Sequence, residues 1–241
     1  MDAPQARPGQ QPAAKRQRVE TEALTIPGPA GTLEALIDRL DAEPQALAVV
    51  CHPHPQSQGT MHNKVAHSLS RSFARLGALA VRFNYRGVGA SSGHYAGGDG
   101  ETDDANAVVS WARSQWPGKD LYLAGFSFGA MVSLRAAASA AASGLISVAP
   151  AVHKFQFEFR HPRCPWLIIQ GVDDEIVSAD AVLAWSERLD PPPRLELLAD
   201  TGHYFHGRLN RLDEIVAGFF GGGFGTAAGS GAAAAGGRVA E

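Results

Sequence analysis

Short apolar runs alternate along this chain with longer amphipathic stretches, and that alternation constrains the fold more than any other feature. Residues 46–51 (ALAVVC), 78–83, 121–124, 145–149 and 165–170 (PWLIIQ) are short and continuously apolar or nearly so. A strand without polar alternation must be covered on both faces. The intervening segments have helical spacing. Residues 63–76 carry Val65, Leu69, Phe73 and Leu76 on one side. Residues 103–116 form a second helix that stops before Pro117, and 129–142 an Ala-rich third. Helices are also expected over 179–189 and 209–220, with an edge strand at 33–37 and a last strand at 194–198. Strand–helix alternation of this kind predicts an α/β fold, a mostly parallel, doubly wound sheet with helices on both faces.

Composition bounds the rest. The chain has 241 residues, 45% of them hydrophobic, which suits one domain with a sizeable core. Its 21 basic and 24 acidic residues give a net charge of -3, so neither nucleic acid nor an anionic membrane is an expected partner. The two cysteines, Cys51 and Cys164, are too few for a disulfide framework and read as small buried hydrophobes. Residues 1–20 are polar and Pro-rich, without the apolar stretch of a secretory signal, and read as a disordered arm. No apolar run reaches the ~20 residues needed to cross a bilayer. A cytoplasmic protein is expected, with a nuclear one as the alternative that Lys15, Arg16 and Arg18 suggest. Residues 221–241 are almost only Gly, Ala and Ser and read as a flexible tail, leaving 21–220 as the folded body.

In a sheet of this type the functional groups sit in loops at the carboxyl ends of the strands. The loop after residue 124 reads Gly125-Phe126-Ser127-Phe128-Gly129, a G-x-S-x-G motif between a strand and a helix. A serine at the tip of so sharp a turn projects its hydroxyl above the sheet. Strand and helix then approach so closely that only glycine fits at the flanking positions. Ser127 is therefore the candidate nucleophile. The Phe128 amide, at the start of the helix, is a candidate oxyanion donor. The competing reading is a serine in an ordinary Gly-rich turn.

A serine hydroxyl needs a base, and the base an orienting carboxylate, here in the chain order Ser, Asp, His. Gly171 is followed by Val172 and the three acids Asp173, Asp174 and Glu175. Asp174 is the candidate acid and Asp173 the alternative, with helix capping as the plain reading of one such residue. After residue 198 come Gly202, His203 and, three residues on, His206. His203 is the candidate base, and His206 a competitor or pocket residue. The loop after Cys51 holds His52, Pro53, His54 and Pro55, with His62 beyond. A zinc site there would lack any cysteine or carboxylate ligand and is not expected. Because the prolines have no N–H, the second oxyanion donor must come from His54, Gln56 or a later amide; placement at the equivalent of the usual oxyanion loop favours His54, with Gln56 second. Arg86, in a Gly-rich loop without a phosphate-binding pattern, reads as a structural anchor.

Together HPHPQSQGTMHNKV, FNYRGVGASSG, GFSFGA and GHYFHGRL resemble one group of small α/β-hydrolases, related to dienelactone hydrolases and to the catalytic domains of prolyl-oligopeptidase-like enzymes. The resemblance spans about residues 21–220. It implies Ser127 as nucleophile, Asp174 as acid and His203 as base, and no metal or organic cofactor. The first loop departs from the pattern, with Gln58 where the first of two glycines usually stands. Dienelactone hydrolases proper use cysteine, so the serine points to ester chemistry.

The expected activity is hydrolysis of a small carboxylic ester or thioester through an acyl-enzyme. Only residues 151–163 lie where a lid domain would enter, too few to form one. Phe155, Phe157 and Phe159 alternate there, forming either an apolar wall of the pocket or a stripe packed on the core. The alternatives are a prolyl-oligopeptidase-like peptidase, which normally carries a propeller domain, and a catalytically silent interaction module. The sequence leaves the oligomeric state open, a homodimer included.

Overall fold

The computed structural model describes residues 18–154, 158–221 and 223–224. Eight strands form one sheet: β1 (Glu20–Gly28), β2 (Gly31–Arg39), β3 (Ala46–Cys51), β4 (Ala78–Phe83), β5 (Asp120–Phe126), β6 (Gly144–Val148), β7 (Trp166–Gly171) and β8 (Arg194–Leu198). They lie in the order β1-β2-β4-β3-β5-β6-β7-β8. From β4 to β8 every pairing is parallel, and β1 and β2 add an antiparallel hairpin at one edge. Every residue of β3, β4, β6 and β7 is buried, as their unbroken apolar runs require.

Among the described residues five α-helices cover the sheet: α1 (Lys64–Arg75), α2 (Asp99–Gln115), α3 (Phe128–Ser139), α4 (Ala179–Ser186) and α5 (Leu209–Phe219). The two-residue period of the strands sorts their side chains between them. Leu47, Val49 and Cys51 join the core under α2, α3 and α4. Ala46, Ala48, Val50, Ala78 and Ala80 join the core under α1 and α5. The second face is lined by alanines, which makes room for the buried Leu69 and Phe73 of α1.

Three expectations need correction. The edge strand is β1, and the predicted edge strand 33–37 is part of β2, one place inward and paired to both β1 and β4. β1 escaped notice because only Ile26 of its nine residues is buried. α2 begins at Asp99 instead of 103. There Glu101 reaches back to accept the Gly98 amide at 2.7 Å and the Ala96 amide at 2.9 Å, closing a cap that the glycines disguise. Packing also continues past residue 220. Phe224 is buried against Phe73, Tyr122 and Phe220, and its amide donates to the Leu76 carbonyl at 3.0 Å.

The topology itself singles out a place for chemistry. From β3 the chain moves outward to β4, then crosses back to β5 on the other side of β3. Adjacent strands whose connections leave in opposite directions open a crevice at their carboxyl ends. Here that crevice lies beyond Cys51 and Phe126, beside Ser127.

Candidate active site

Ser127 stands between the end of β5 and the first residue of α3, with φ 56 and ψ -115. Such a backbone is strained for a residue with a side chain, costing about 1–3 kcal/mol. Its surroundings enforce it. A Cβ on Gly125 would lie 2.0 Å from the Gly129 carbonyl oxygen, and one on Gly129 would lie 2.3 Å from the Cys51 carbonyl oxygen. The Ser127 amide donates to the Val148 carbonyl at 2.8 Å, tying the turn to β6.

Asp174 and His203 come from the loops after β7 and β8. His203 Nδ1 lies 2.8 Å from Asp174 Oδ2. That oxygen also accepts from Gln170 Nε2 at 3.0 Å, while Oδ1 accepts the amides of Ile176 at 2.9 Å and Val177 at 2.7 Å. Burial alone would raise the Asp174 carboxyl. The His203 and backbone hydrogen bonds outweigh it and hold the group below the ordinary aspartate value. The side chain is thus an anion aimed at the imidazole, an arrangement that fixes ring orientation and favours Nδ1–H.

The alternatives take other places. Asp173 is exposed, and its amide donates to the Thr201 carbonyl at 3.1 Å. His206 is exposed and packs on Tyr204. Glu175, to which the sequence assigned nothing, accepts the His203 amide at 3.1 Å. Hydrogen bonds from its own amide and from that of His203 hold its carboxyl below the usual glutamate value. The three consecutive acids thus divide the work: Asp173 and Glu175 stitch the two loops together, and Asp174 meets the ring.

Among the described residues no hydrogen bond joins Ser127 Oγ to His203. Phe126, the residue just before Ser127, packs on the His203 ring with centroids 4.8 Å apart. Tyr204, 44% exposed, stands edge-on to His203 at 5.2 Å and beside Phe126 at 6.4 Å. It is an aromatic wall that its sequence position alone did not reveal.

The first loop is knitted tightly. The Ser57 and Gly59 amides both donate to the His54 carbonyl at 3.0 Å. A Cβ on Gly59 would lie 2.1 Å from the Pro53 carbonyl oxygen. Gln58 takes the left-handed conformation, φ 61, that the usual glycine would adopt freely. His52 is fully buried, with Nδ1 2.7 Å from the Pro53 carbonyl and Nε2 accepting the Tyr85 amide at 3.2 Å. Burial pushes it down to about 3, so it is a neutral structural ring. His54 Nδ1 accepts the Gln56 amide, and Nε2 lies 3.0 Å from Tyr95 Oη. Its ring packs on Phe128, centroids 4.8 Å apart, which sets the loop against the start of α3. Gln56 is exposed. Arg86 pairs with the buried Asp104, Nη2 to Oδ1 at 2.8 Å, as a loop anchor. Burial pushes the Cys51 thiol up to about 12 and that of Cys164 to about 11.

Phe155 and Phe157 lie outside the described residues. Phe159 packs on Trp166 and Trp185, on the core side. Among the described residues no helix is long and apolar enough to cross a membrane.

The family described as serine aminopeptidase, S33, matches residues 42–159. The structure of XC6422 from Xanthomonas campestris, a member of the α/β serine hydrolases without a lid, is 45% identical. It superposes with a TM-score of 0.78, covering 83% of this chain and 93% of that one. The chain belongs to the α/β-hydrolase superfamily. A second α/β-hydrolase relative, a serine hydrolase homologue from Coxiella burnetii, is 42% identical with a TM-score of 0.78. That match covers 81% of this chain and 95% of the other. The uncharacterised protein RP471 of Rickettsia prowazekii (strain Madrid E) is 35% identical over 168 residues, 67% of this chain and 71% of that protein. Among the described residues there is no lid domain, and residues 149–165 connect β6 to β7.

Proposed function

We propose that this α/β-hydrolase cleaves small carboxylic esters or thioesters through an acyl-enzyme on Ser127. The observation that carries the reading is the Asp174–His203 pair at 2.8 Å, packed against the strained turn that presents Ser127.

In this reading His203 Nε2 takes the Ser127 proton as Oγ attacks the carbonyl carbon, and Asp174 stabilises the imidazolium that forms. The carbonyl oxygen gains negative charge in the tetrahedral intermediate. The amides of Phe128 and His54 are the proposed donors to it. Phe128 supports this by opening α3, where a helix presents N–H groups and the positive end of its dipole. His54 supports it by its contact with Phe128. His203 then protonates the leaving alcohol or thiol. A water, deprotonated by the same nitrogen, releases the acid. Tyr204 supplies an apolar surface beside the reacting carbon, and the absence of a lid domain suits small substrates. Gln56 and His206 complete the proposed pocket.

The test pairs a fluorophosphonate probe with a p-nitrophenyl ester series, on the wild type and Ser127→Ala. Wild type is expected to label and to prefer short acyl chains, while Ser127→Ala does neither. A wild type that neither labels nor turns over any ester overturns the reading. The matched family's description as aminopeptidase favours a second reading, amide cleavage. Aminoacyl p-nitroanilides in the same assay separate the two: Ser127-dependent turnover of these amides supports the peptidase, and their resistance beside hydrolysed esters supports the esterase.

A further inference from the structure

Gln170 breaks the apolar run of β7 at a position with no exposure. Its side-chain nitrogen lies 3.0 Å from Asp174 Oδ2, 3.1 Å from the Gly171 carbonyl and 3.0 Å from the Val177 carbonyl. All three neighbours are acceptors, and a flipped amide would set its oxygen against three oxygens. The orientation is therefore fixed by chemistry. The cost is visible at the other end, where Gln170 Oε1 is buried without a hydrogen-bond partner. An orphaned buried acceptor costs about 1–3 kcal/mol, which the hydrogen bonds made by the side-chain nitrogen must offset.

The return is at Asp174. An aspartate carboxylate has about four lone-pair directions. Here four donors fill them: Ile176 N and Val177 N on Oδ1, His203 Nδ1 and Gln170 Nε2 on Oδ2. Gln170 and His203 thus share one oxygen, and the Gln170 amide fixes the rotation of the carboxylate that faces the imidazole.

We propose that Gln170 is a positioning residue of the hydrolase, locking the Asp174 carboxylate in the plane and rotamer that orient His203. The proposal rests on the reading of Ser127, His203 and Asp174 given above. It adds a second buried donor to the acid that no backbone amide supplies. Without that donor the anion is less stabilised, so Asp174 titrates higher and the His203 ring is held less firmly.

The experiment compares wild type with Gln170→Met, which keeps the volume but loses the donor, and Gln170→His, which restores a ring N–H. The Asp174 carboxyl carbon is followed by NMR against pH, and ester turnover is measured in parallel. Gln170→Met is expected to titrate Asp174 at higher pH and to lose about tenfold in kcat with KM within about twofold. Gln170→His should recover both. An Asp174 titration and kcat in Gln170→Met equal to wild type overturn the proposal. Should Gln170→Met not fold, the wild type still tests it. The Gln170 side-chain amide protons must shift together with the Asp174 titration, and their failure to do so overturns the proposal as well. The NMR measurements need no turnover. Ester inactivity with intact coupling between Gln170 and Asp174 therefore counts against the function of Ser127 and not against the contact.

Discussion

At the scale of single residues, position in a sequence motif and position in space part company among the acids that follow β7. Asp173 and Asp174 are chemically identical neighbours, yet only Asp174 turns inward to meet His203. Asp174→Asn is expected to lower ester kcat by roughly 10³–10⁴-fold, because an amide favours the wrong imidazole tautomer. Asp173→Asn should stay within about twofold of wild type, since its side chain is exposed. Steady-state kinetics on both variants checks this, and the reverse ranking would remove Asp174 from its role. The G-x-S-x-G motif and the two loops that carry Asp174 and His203 were legible in the sequence, because their places after strand ends are set by local turn geometry. Glu175, Tyr204 and Gln170 were not. Their partners, the His203 amide, the Phe126 ring and the Asp174 carboxylate, come into reach only when separate loops and strands meet.

At the scale of elements, the site depends on backbone that approaches backbone. Gly129→Ala places a methyl group 2.3 Å from the Cys51 carbonyl oxygen, where neither β3 nor α3 can retreat without disturbing the sheet. It is expected to cost about 3 kcal/mol or more and to abolish the proposed ester turnover. Gln58→Gly does the opposite. It removes a side chain from a left-handed conformation and should raise stability by about 0.5–1 kcal/mol, with activity retained. Urea denaturation followed by tryptophan fluorescence measures both, and an unchanged midpoint for Gly129→Ala would contradict the crowding argument. The parallel strands were readable because complete burial writes an unbroken apolar run. β1 was not, since an edge strand with one buried residue carries no such signature.

At the scale of the whole molecule, buried charge links the hairpin to the body of the sheet. Asp38, fully buried on β2, accepts from Arg82 Nε at 2.7 Å, Ser70 Oγ at 2.6 Å and Thr21 Oγ1 at 2.6 Å. Arg82 in turn donates to the Met61 carbonyl at 3.0 Å, in the loop that leads from the site into α1. Burial opposes the Asp38 anion, but Arg82 and the hydroxyls overcome it and hold the carboxyl below its ordinary value. Asp38 and Asp174 are both lowered, so the unfolded chain binds more protons in acid than the folded one. Their contribution is complete above the unfolded value of about 3.9 and lost as pH falls through the folded values. The urea midpoint is expected to fall steeply below about pH 4. Asp38→Asn should be less stable at neutral pH, by about 3–5 kcal/mol for an unpaired Arg82, with a shallower acid slope. Parallel acid slopes for the two proteins would show that Asp38 is not a source of the effect.

The sequence by itself determined the class of sheet, the serine at its strained turn, and the loops that carry the acids and the histidines. Each follows from local rules: burial on both faces, crowding at a strand–helix turn, and loops placed at strand ends. Only the tertiary structure decided which acid meets the histidine, how the first loop leans on α3, and why a glutamine stands in the core of β7. Those contacts join segments far apart in the chain, and their hydrogen bonds exist only once the doubly wound sheet brings the carboxyl ends of β3, β5, β7 and β8 to one edge.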